Sequence, residues 1–121
     1  MVHQYLEAEN AYTAAAMRGT EPLQAELYRE MLSHILETDE TYPYPDHGFL
    51  YYTRTVEGLQ YPIHCRKQHL DAPEQILLDV NQLAEGQPFM AVGGMAVSPN
   101  GLMLAYSTDS TGFRQYTLRF R

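Results

Sequence analysis

Hydrophobic positions along this 121-residue chain change their period once, across residues 41–48. In VHQYLEAENAYTAAAMR, residues Val2, Tyr5, Leu6, Tyr12 and Ala16 fall on roughly one helical stripe, and three consecutive alanines raise helix propensity. Gly19 is expected to stop that helix. Thr20 reads as the N-cap of a second one, with Glu21 and Pro22 suited to its first turn. Leu23, Leu27, Met31 and Ile35 then recur at three- and four-residue spacing, and Leu32 and Leu36 widen the stripe. The expected element is an amphipathic helix of about 16 residues. The acidic run Glu37-Thr38-Asp39-Glu40 is expected to close this half as a solvated helix end, and the two prolines of TYPYPDHG mark residues 41–48 as a linker.

Beyond residue 48 the pattern is that of strands. FLYYTRT and YPIHCRK are joined by Val56-Glu57-Gly58-Leu59, a good hairpin connection, and QILLDV follows the turn-rich HLDAPE. After a longer loop over residues 81–88 come MAVGGMAVS, LMLAYST and FRQYTLRF, separated by Ser98-Pro99-Asn100-Gly101 and Asp109-Ser110-Thr111-Gly112. In the last segment, Phe113, Gln115, Thr117 and Arg119 are expected to face one way, and Arg114, Tyr116, Leu118 and Phe120 mostly the other. The fold class expected is α+β: an N-terminal helical hairpin, then two antiparallel three-strand meanders in series. Each meander takes about 35–40 residues, near the length of a β-propeller blade.

Charge follows the same division. Residues 1–46 hold nine acids against Arg18 and Arg29, whereas residues 47–121 hold six acids and six bases, so the whole net charge of −7 lies in the first part. That balance argues against a nucleic-acid partner, which needs a basic footprint. Ten tyrosines and no tryptophan favour sheet, where aromatic side chains sit well on a pleated surface. The single cysteine, Cys65, excludes an internal disulfide and fits a reducing compartment. No apolar run approaches the roughly 18 residues of a membrane span, and the first residues lack the basic-then-apolar order of a signal peptide. The expectation is a cytoplasmic chain with no membrane partner.

Residues that could carry chemistry have structural readings that outweigh the chemical ones. Ser98 lies in VSPNG, without the flanking glycines of a nucleophile elbow, and reads as a turn serine. His64 and Cys65 are adjacent on a strand, where neighbours point to opposite faces and do not form a nucleophile–base pair. His3, His34, His47, His64 and His69 show no zinc-ligand spacing. Gly93-Gly94 lacks the residues of a phosphate loop and reads as a bulge or a close backbone approach. The acids Glu37, Asp39 and Glu40 could bind a cation but read as solvated. Tyr51 and Tyr52, with Tyr42, Tyr44 and Tyr61, could stack a ligand, yet alternating tyrosines on half-buried strands explain them as well. No catalytic, cofactor-binding or metal-binding residue is assigned.

Five segments in order, YLEAENAYT, LYREML, GFLYYTRTVEGLQYPIHCRK, EQILLDVNQLAEG and VSPNGLMLAYSTDSTGFRQYTLRF, resemble the N-terminal part of oligopeptidase B, within the prolyl oligopeptidase family of serine peptidases. The resemblance implies a helical segment over residues 1–40, in which Val2 to Leu36 are helices that pack against a hydrolase domain and a neighbouring part of the propeller. It also implies a linker over 41–48 and a partial β-propeller over 49–121, with a first blade at 49–80 and an incomplete second blade at 91–121. Members of this branch cut short peptides after Arg or Lys, with a Ser, Asp and His triad far downstream of the matched region. No position here matches that triad. The resemblance therefore implies a piece of the family pattern, cut at both ends. Such a piece is a scaffold without activity of its own, and its partner is the remainder of the peptidase.

Two other readings compete with it. One is a stand-alone β-rich binding or assembly module that self-associates through exposed sheet edges. The other is an independent thiol enzyme resting on Cys65 alone.

Overall fold

A computed structural model describes residues 2–121 and divides the chain into two compact units, one ending at Leu36 and the other spanning Glu37–Arg121. The first unit is helical. Helix α1 spans Val2–Met17, a 3₁₀ turn covers Arg18–Thr20, and helix α2 spans Glu21–Ser33. No residue of α1 or α2 is buried, so the expected hairpin does not close an apolar core between its two arms. Thr20 does not act as an N-cap. Its backbone is already helical at φ −96° and ψ −7°, not extended as a cap requires, and Pro22 at the start of the helix has no N–H to offer it. The Thr20 hydroxyl instead donates to the Met17 carbonyl at 2.7 Å and accepts from Gln24 at 2.7 Å. Helix α2 is 13 residues long and stops before Ile35, whose N–H turns back to the Leu32 carbonyl.

The second unit is built on two antiparallel sheets. In the first, strands β1 (Tyr44–Asp46), β2 (Phe49–Arg54), β3 (Ile63–Lys67) and β4 (Gln75–Asp79) pair in sequence order. Strand β1 corrects the expected linker. Residues 41–48 are held to β2 rather than free, with Tyr44 opposite Tyr51 and Asp46 opposite Phe49. Pro45 is tolerated because β1 is an edge strand. The two-residue turn between β1 and β2 places His47 at φ 43° and Gly48 at φ 81°, the pair of positive angles that a tight type I′ hairpin requires. The acidic run before it is also part of this unit. Thr55 N–H donates to the Asp39 carbonyl, Thr41 N–H to the Thr53 carbonyl, and Glu40 bridges to Arg54. The run extends the sheet and does not end a helix, because its groups find partners there, the Thr38 hydroxyl accepting the Glu57 N–H at 3.1 Å and the Asp39 carboxylate the Glu40 N–H at 2.8 Å.

Past β4, a one-turn helix α3 (Val80–Leu83) begins the segment expected as a loop. Asp79 caps it from extended backbone, accepting the Asn81 N–H at 2.9 Å. The second sheet holds β5 (Ala91–Val97), β6 (Leu104–Asp109) and β7 (Thr117–Phe120), again in sequence order. Strand β7 is half as long as its segment suggested. Asp109 gathers the Thr111 N–H, the Thr111 hydroxyl and the Arg114 N–H within 2.8 Å, and Arg114 sits at φ 59°. That carboxylate-centred loop breaks the alternation expected over residues 113–116. The larger core, Leu78, Val80, Met90, Leu104 and Tyr106, draws on both sheets and the segment between them. A smaller one, Tyr52, Ile63 and Cys65, belongs to the first sheet alone.

Candidate functional site

The densest group of interacting titratable side chains lies on the first sheet. Tyr52 and Arg54 project from one face of β2, two residues apart, and Cys65 of β3 stands opposite Tyr52. Glu74, just ahead of β4, completes the group. Arg54 grips both Glu74 oxygens through Nε and Nη2, the shortest contact being 2.8 Å, and the Tyr52 hydroxyl donates to Glu74 Oε2 at 2.6 Å. Those charge-assisted bonds, Arg54 first, hold the Glu74 carboxyl down at about 2. Burial, and then the bond to Glu74, push the Tyr52 phenol above its ordinary range. Every proton is thus held where it is stable, which suits an ion-pair lock and not a proton shuttle.

Cys65 is almost fully buried, at 1% exposure, and burial raises its thiol to about 11. Its Sγ is within reach of the Ile63 carbonyl at 3.8 Å, while His64 on the opposite side bonds Thr53 Oγ1 through Nδ1 at 3.2 Å. Burial also lowers the His64 pKa. The two residues do not meet, and the thiol is held protonated, the reverse of an activated nucleophile. His47 pairs with Asp46 at 2.7 Å on the exposed β1–β2 turn. Among the described residues, no three His, Cys, Asp or Glu side chains converge on one point.

The tyrosines are dispersed. Tyr44 stacks on Tyr51 with ring centroids 5.8 Å apart, Tyr52 points to the other face with Glu74, and Tyr42 is 94% exposed. Tyr61 has a separate task. Asn81 brackets its backbone, accepting from the Tyr61 N–H at 2.9 Å and donating to its carbonyl at 2.8 Å, while the Tyr61 hydroxyl accepts the Met90 N–H at 3.1 Å. Tyr51, Tyr52 and Tyr61 are therefore engaged in packing and in tying the two sheets together, while Tyr42 lies apart from them in solvent. Gly93-Gly94 lies at a register shift between Val92 and Met95, the bulge expected of it.

Ser98 is a turn serine. Its carbonyl accepts the Gly101 N–H at 2.8 Å, and its hydroxyl donates to Asn100 Oδ1 at 2.7 Å and accepts the Met103 N–H at 3.0 Å. That turn is fastened to the first sheet by Arg66, whose guanidinium donates to the Gly101 carbonyl at 3.0 Å and to Gln75 at 2.9 Å, and lies over the Phe49 ring at 4.1 Å. Sequence reasoning did not find the Arg54–Glu74 lock, the Arg66 clasp or the Asn81 bracket. Of these, only Asn81 had a local signal, the Asp79 cap two residues ahead of it.

Among the described residues, seven strands form two sheets, each running in sequence order, as the strands of successive propeller blades do. Residues 1–121 match the family model described as "Prolyl oligopeptidase, N-terminal beta-propeller domain". The chain belongs to this family. The two sheets, β1–β4 and β5–β7, are thus read as blade sheets of a partial propeller.

Over 97% of its length the chain is 41% identical to the dipeptidyl aminopeptidase BI of Pseudoxanthomonas mexicana. It is 32% identical, again over 97% of its length, to the protease 2 of Moraxella lacunata. It spans 18% of the length of each of these relatives. The solved structure of oligopeptidase B from Trypanosoma brucei, in a closed form with covalently bound antipain, superposes on 98% of the chain and 18% of its own, with a TM-score of 0.88 and 41% identity. The resemblance to oligopeptidase B made out from five sequence segments therefore extends to the backbone.

Proposed function

We propose that these residues form the scaffold portion of an oligopeptidase B-like serine peptidase that cleaves short peptides after Arg or Lys in the cytoplasm. One observation carries the reading: near-complete superposition on a propeller oligopeptidase at a TM-score of 0.88 and 41% identity. The local chemistry agrees with it. Polar groups of the two blades are consumed in locks, clasps and caps, which is the work of a rigid wall and not of a reacting site. The proposed partner is the remainder of the peptidase, whose hydrolase domain supplies the nucleophile and the acids that read the basic side chain.

Complementation tests this. The 121-residue chain is assayed alone, and mixed with an oligopeptidase B polypeptide lacking the equivalent residues, against peptides bearing Arg, Lys or Pro before the scissile bond. Hydrolysis only in the mixture is the expected result. Turnover by the chain alone, or an inactive mixture that does not associate, overturns the proposal. Specificity is read separately, on the longest polypeptide the gene encodes, by comparing cleavage after Arg or Lys with release of N-terminal dipeptides.

A β-rich assembly module is the second reading, favoured by one observation: all four residues of β7 are exposed, Leu118 and Phe120 among them. Discrete self-assembly by light scattering, without binding to the peptidase remainder, would select it.

A further inference from the structure

We propose that the Ser98–Gly101 turn is a self-modification site, built so that Asn100 cyclises onto the backbone nitrogen of Gly101 and releases the clasp between the two blades. Asn100 is exposed and is followed by a glycine, so no side chain shields its Cγ from the next backbone nitrogen. The turn also supplies what the addition step needs. Asn100 Oδ1 accepts from the Ser98 hydroxyl at 2.7 Å and from the Leu102 N–H at 3.1 Å. This is the oxygen on which negative charge develops when nitrogen adds to Cγ. Two donors already aimed at it stabilise that charge without reorganisation, as an oxyanion hole does. The Gly101 N–H donates to the Ser98 carbonyl at 2.8 Å, and that bond opens as the nitrogen turns onto Cγ.

The step balances without a co-reactant. The Gly101 nitrogen loses its proton and bonds to Asn100 Cγ, the Cγ–Nδ2 bond breaks, and ammonia leaves with that proton. Water then opens the five-membered imide at either carbonyl, giving an aspartyl or an isoaspartyl linkage. The isoaspartyl form routes the main chain through Cβ and Cγ, adding one methylene immediately before Gly101. The Gly101 carbonyl is the acceptor that Arg66 reaches at 3.0 Å, so the lengthened backbone carries it off the guanidinium. Chemistry at one exposed turn thereby loosens the contact between the blades.

Asn10, followed by Ala11, and Asn81, followed by Gln82, are internal controls in the same chain. The purified chain is held at mildly alkaline pH and mapped by peptide mass spectrometry over days, folded and in concentrated urea. Conversion is expected at Asn100 ahead of both controls, and faster in the folded chain than in urea. Ser98→Ala should slow it about fivefold, the factor for one ordinary hydrogen bond. A turn that merely shelters Asn100 gives the opposite signs, slower conversion when folded and faster conversion in S98A, and either result overturns the proposal. Separated isoaspartyl protein should melt below the unmodified chain, and that difference should vanish in an Arg66→Met background. A difference that persists there overturns the claim that the clasp is what is released.

Discussion

The Tyr116 side chain, arriving from the loop before β7, lies across β6 against the backbone of Gly93 in β5. A Cβ built on Gly93 would stand 2.6 Å from Tyr116 Cε1 and 2.9 Å from Ser107 Oγ. Gly93 is thus required for space, and the bulge at Gly93-Gly94 is where the second blade admits an aromatic ring from two strands away. Ser107 fixes the same bulge by accepting the Gly94 N–H at 3.0 Å. Gly93→Ala is expected to destabilise the chain by about 1–3 kcal/mol, the usual cost of overpacking. Tyr116→Ala should cost less, and the double mutant should recover part of the G93A loss because the ring is gone. Urea unfolding of the four proteins measures the coupling. Strictly additive effects would show that Tyr116 is not what Gly93 accommodates.

Acid should weaken the first blade through Glu74. Its carboxyl is held at about 2 in the folded chain against an ordinary 4.5, so the unfolded state binds the proton first. The stabilisation is complete above the unfolded value and is lost as pH falls from about 5 towards 2. Because the ion pair is partly exposed, solvent screening reduces its worth to about 1 kcal/mol. The stability difference between the native chain and Glu74→Gln should therefore be flat near neutrality and shrink across that window. A difference that is constant in pH would remove the Arg54–Glu74 pair as its source.

Local rules sufficed for what is local in this chain. Ser98-Pro99-Asn100-Gly101 and Gly93-Gly94 behave as turn and bulge because proline, asparagine and glycine act on their own backbone. The expected linker hid strand β1 because Pro45 is disfavoured in a ladder except on an edge, and edge position is a property of the whole sheet. Thr20 failed as a cap for a similar reason: the preceding 3₁₀ turn carries its backbone into the helical region and draws its hydroxyl to the Met17 carbonyl. The Arg54–Glu74 lock joins residues 20 apart in sequence, and the Arg66–Gly101 clasp joins residues 35 apart. No periodicity encodes such pairs, and they appear only once the sheets have been registered.

Cys65 is expected to be chemically silent in the folded chain. Burial raises its thiol to about 11, so little thiolate forms near neutral pH, and the side chain is almost inaccessible. Labelling by a small thiol reagent should therefore be slow in buffer, fast in concentrated urea, and should rise with pH. Rapid stoichiometric labelling of the native chain would contradict the burial seen here. Cys65→Ala should cost about 1–2 kcal/mol for lost packing against Tyr52 and Ile63.

Asn81 should be the most sensitive polar residue in the connection between the blades. Its amide meets both backbone groups of Tyr61, and it also donates to Asp79 Oδ1 at 3.1 Å. Asn81→Ala leaves a half-buried N–H and carbonyl without partners, which costs about 1–3 kcal/mol for each group that water cannot reach. The loss should spread to Met90, because the Tyr61 hydroxyl that accepts the Met90 N–H is aimed by the same bracket. Asn81→Asp separates shape from hydrogen bonding. A carboxylate still accepts from the Tyr61 N–H, but it faces the Tyr61 carbonyl and Asp79 with no proton to offer. N81D is therefore expected to be at least as unstable as N81A at neutral pH and to recover towards the native chain as pH falls and the carboxyl protonates. Amide exchange at Tyr61 and Met90, followed beside urea unfolding, reads the bracket directly. N81D as stable as the native chain at neutral pH would mean that the donor half of the bracket contributes nothing.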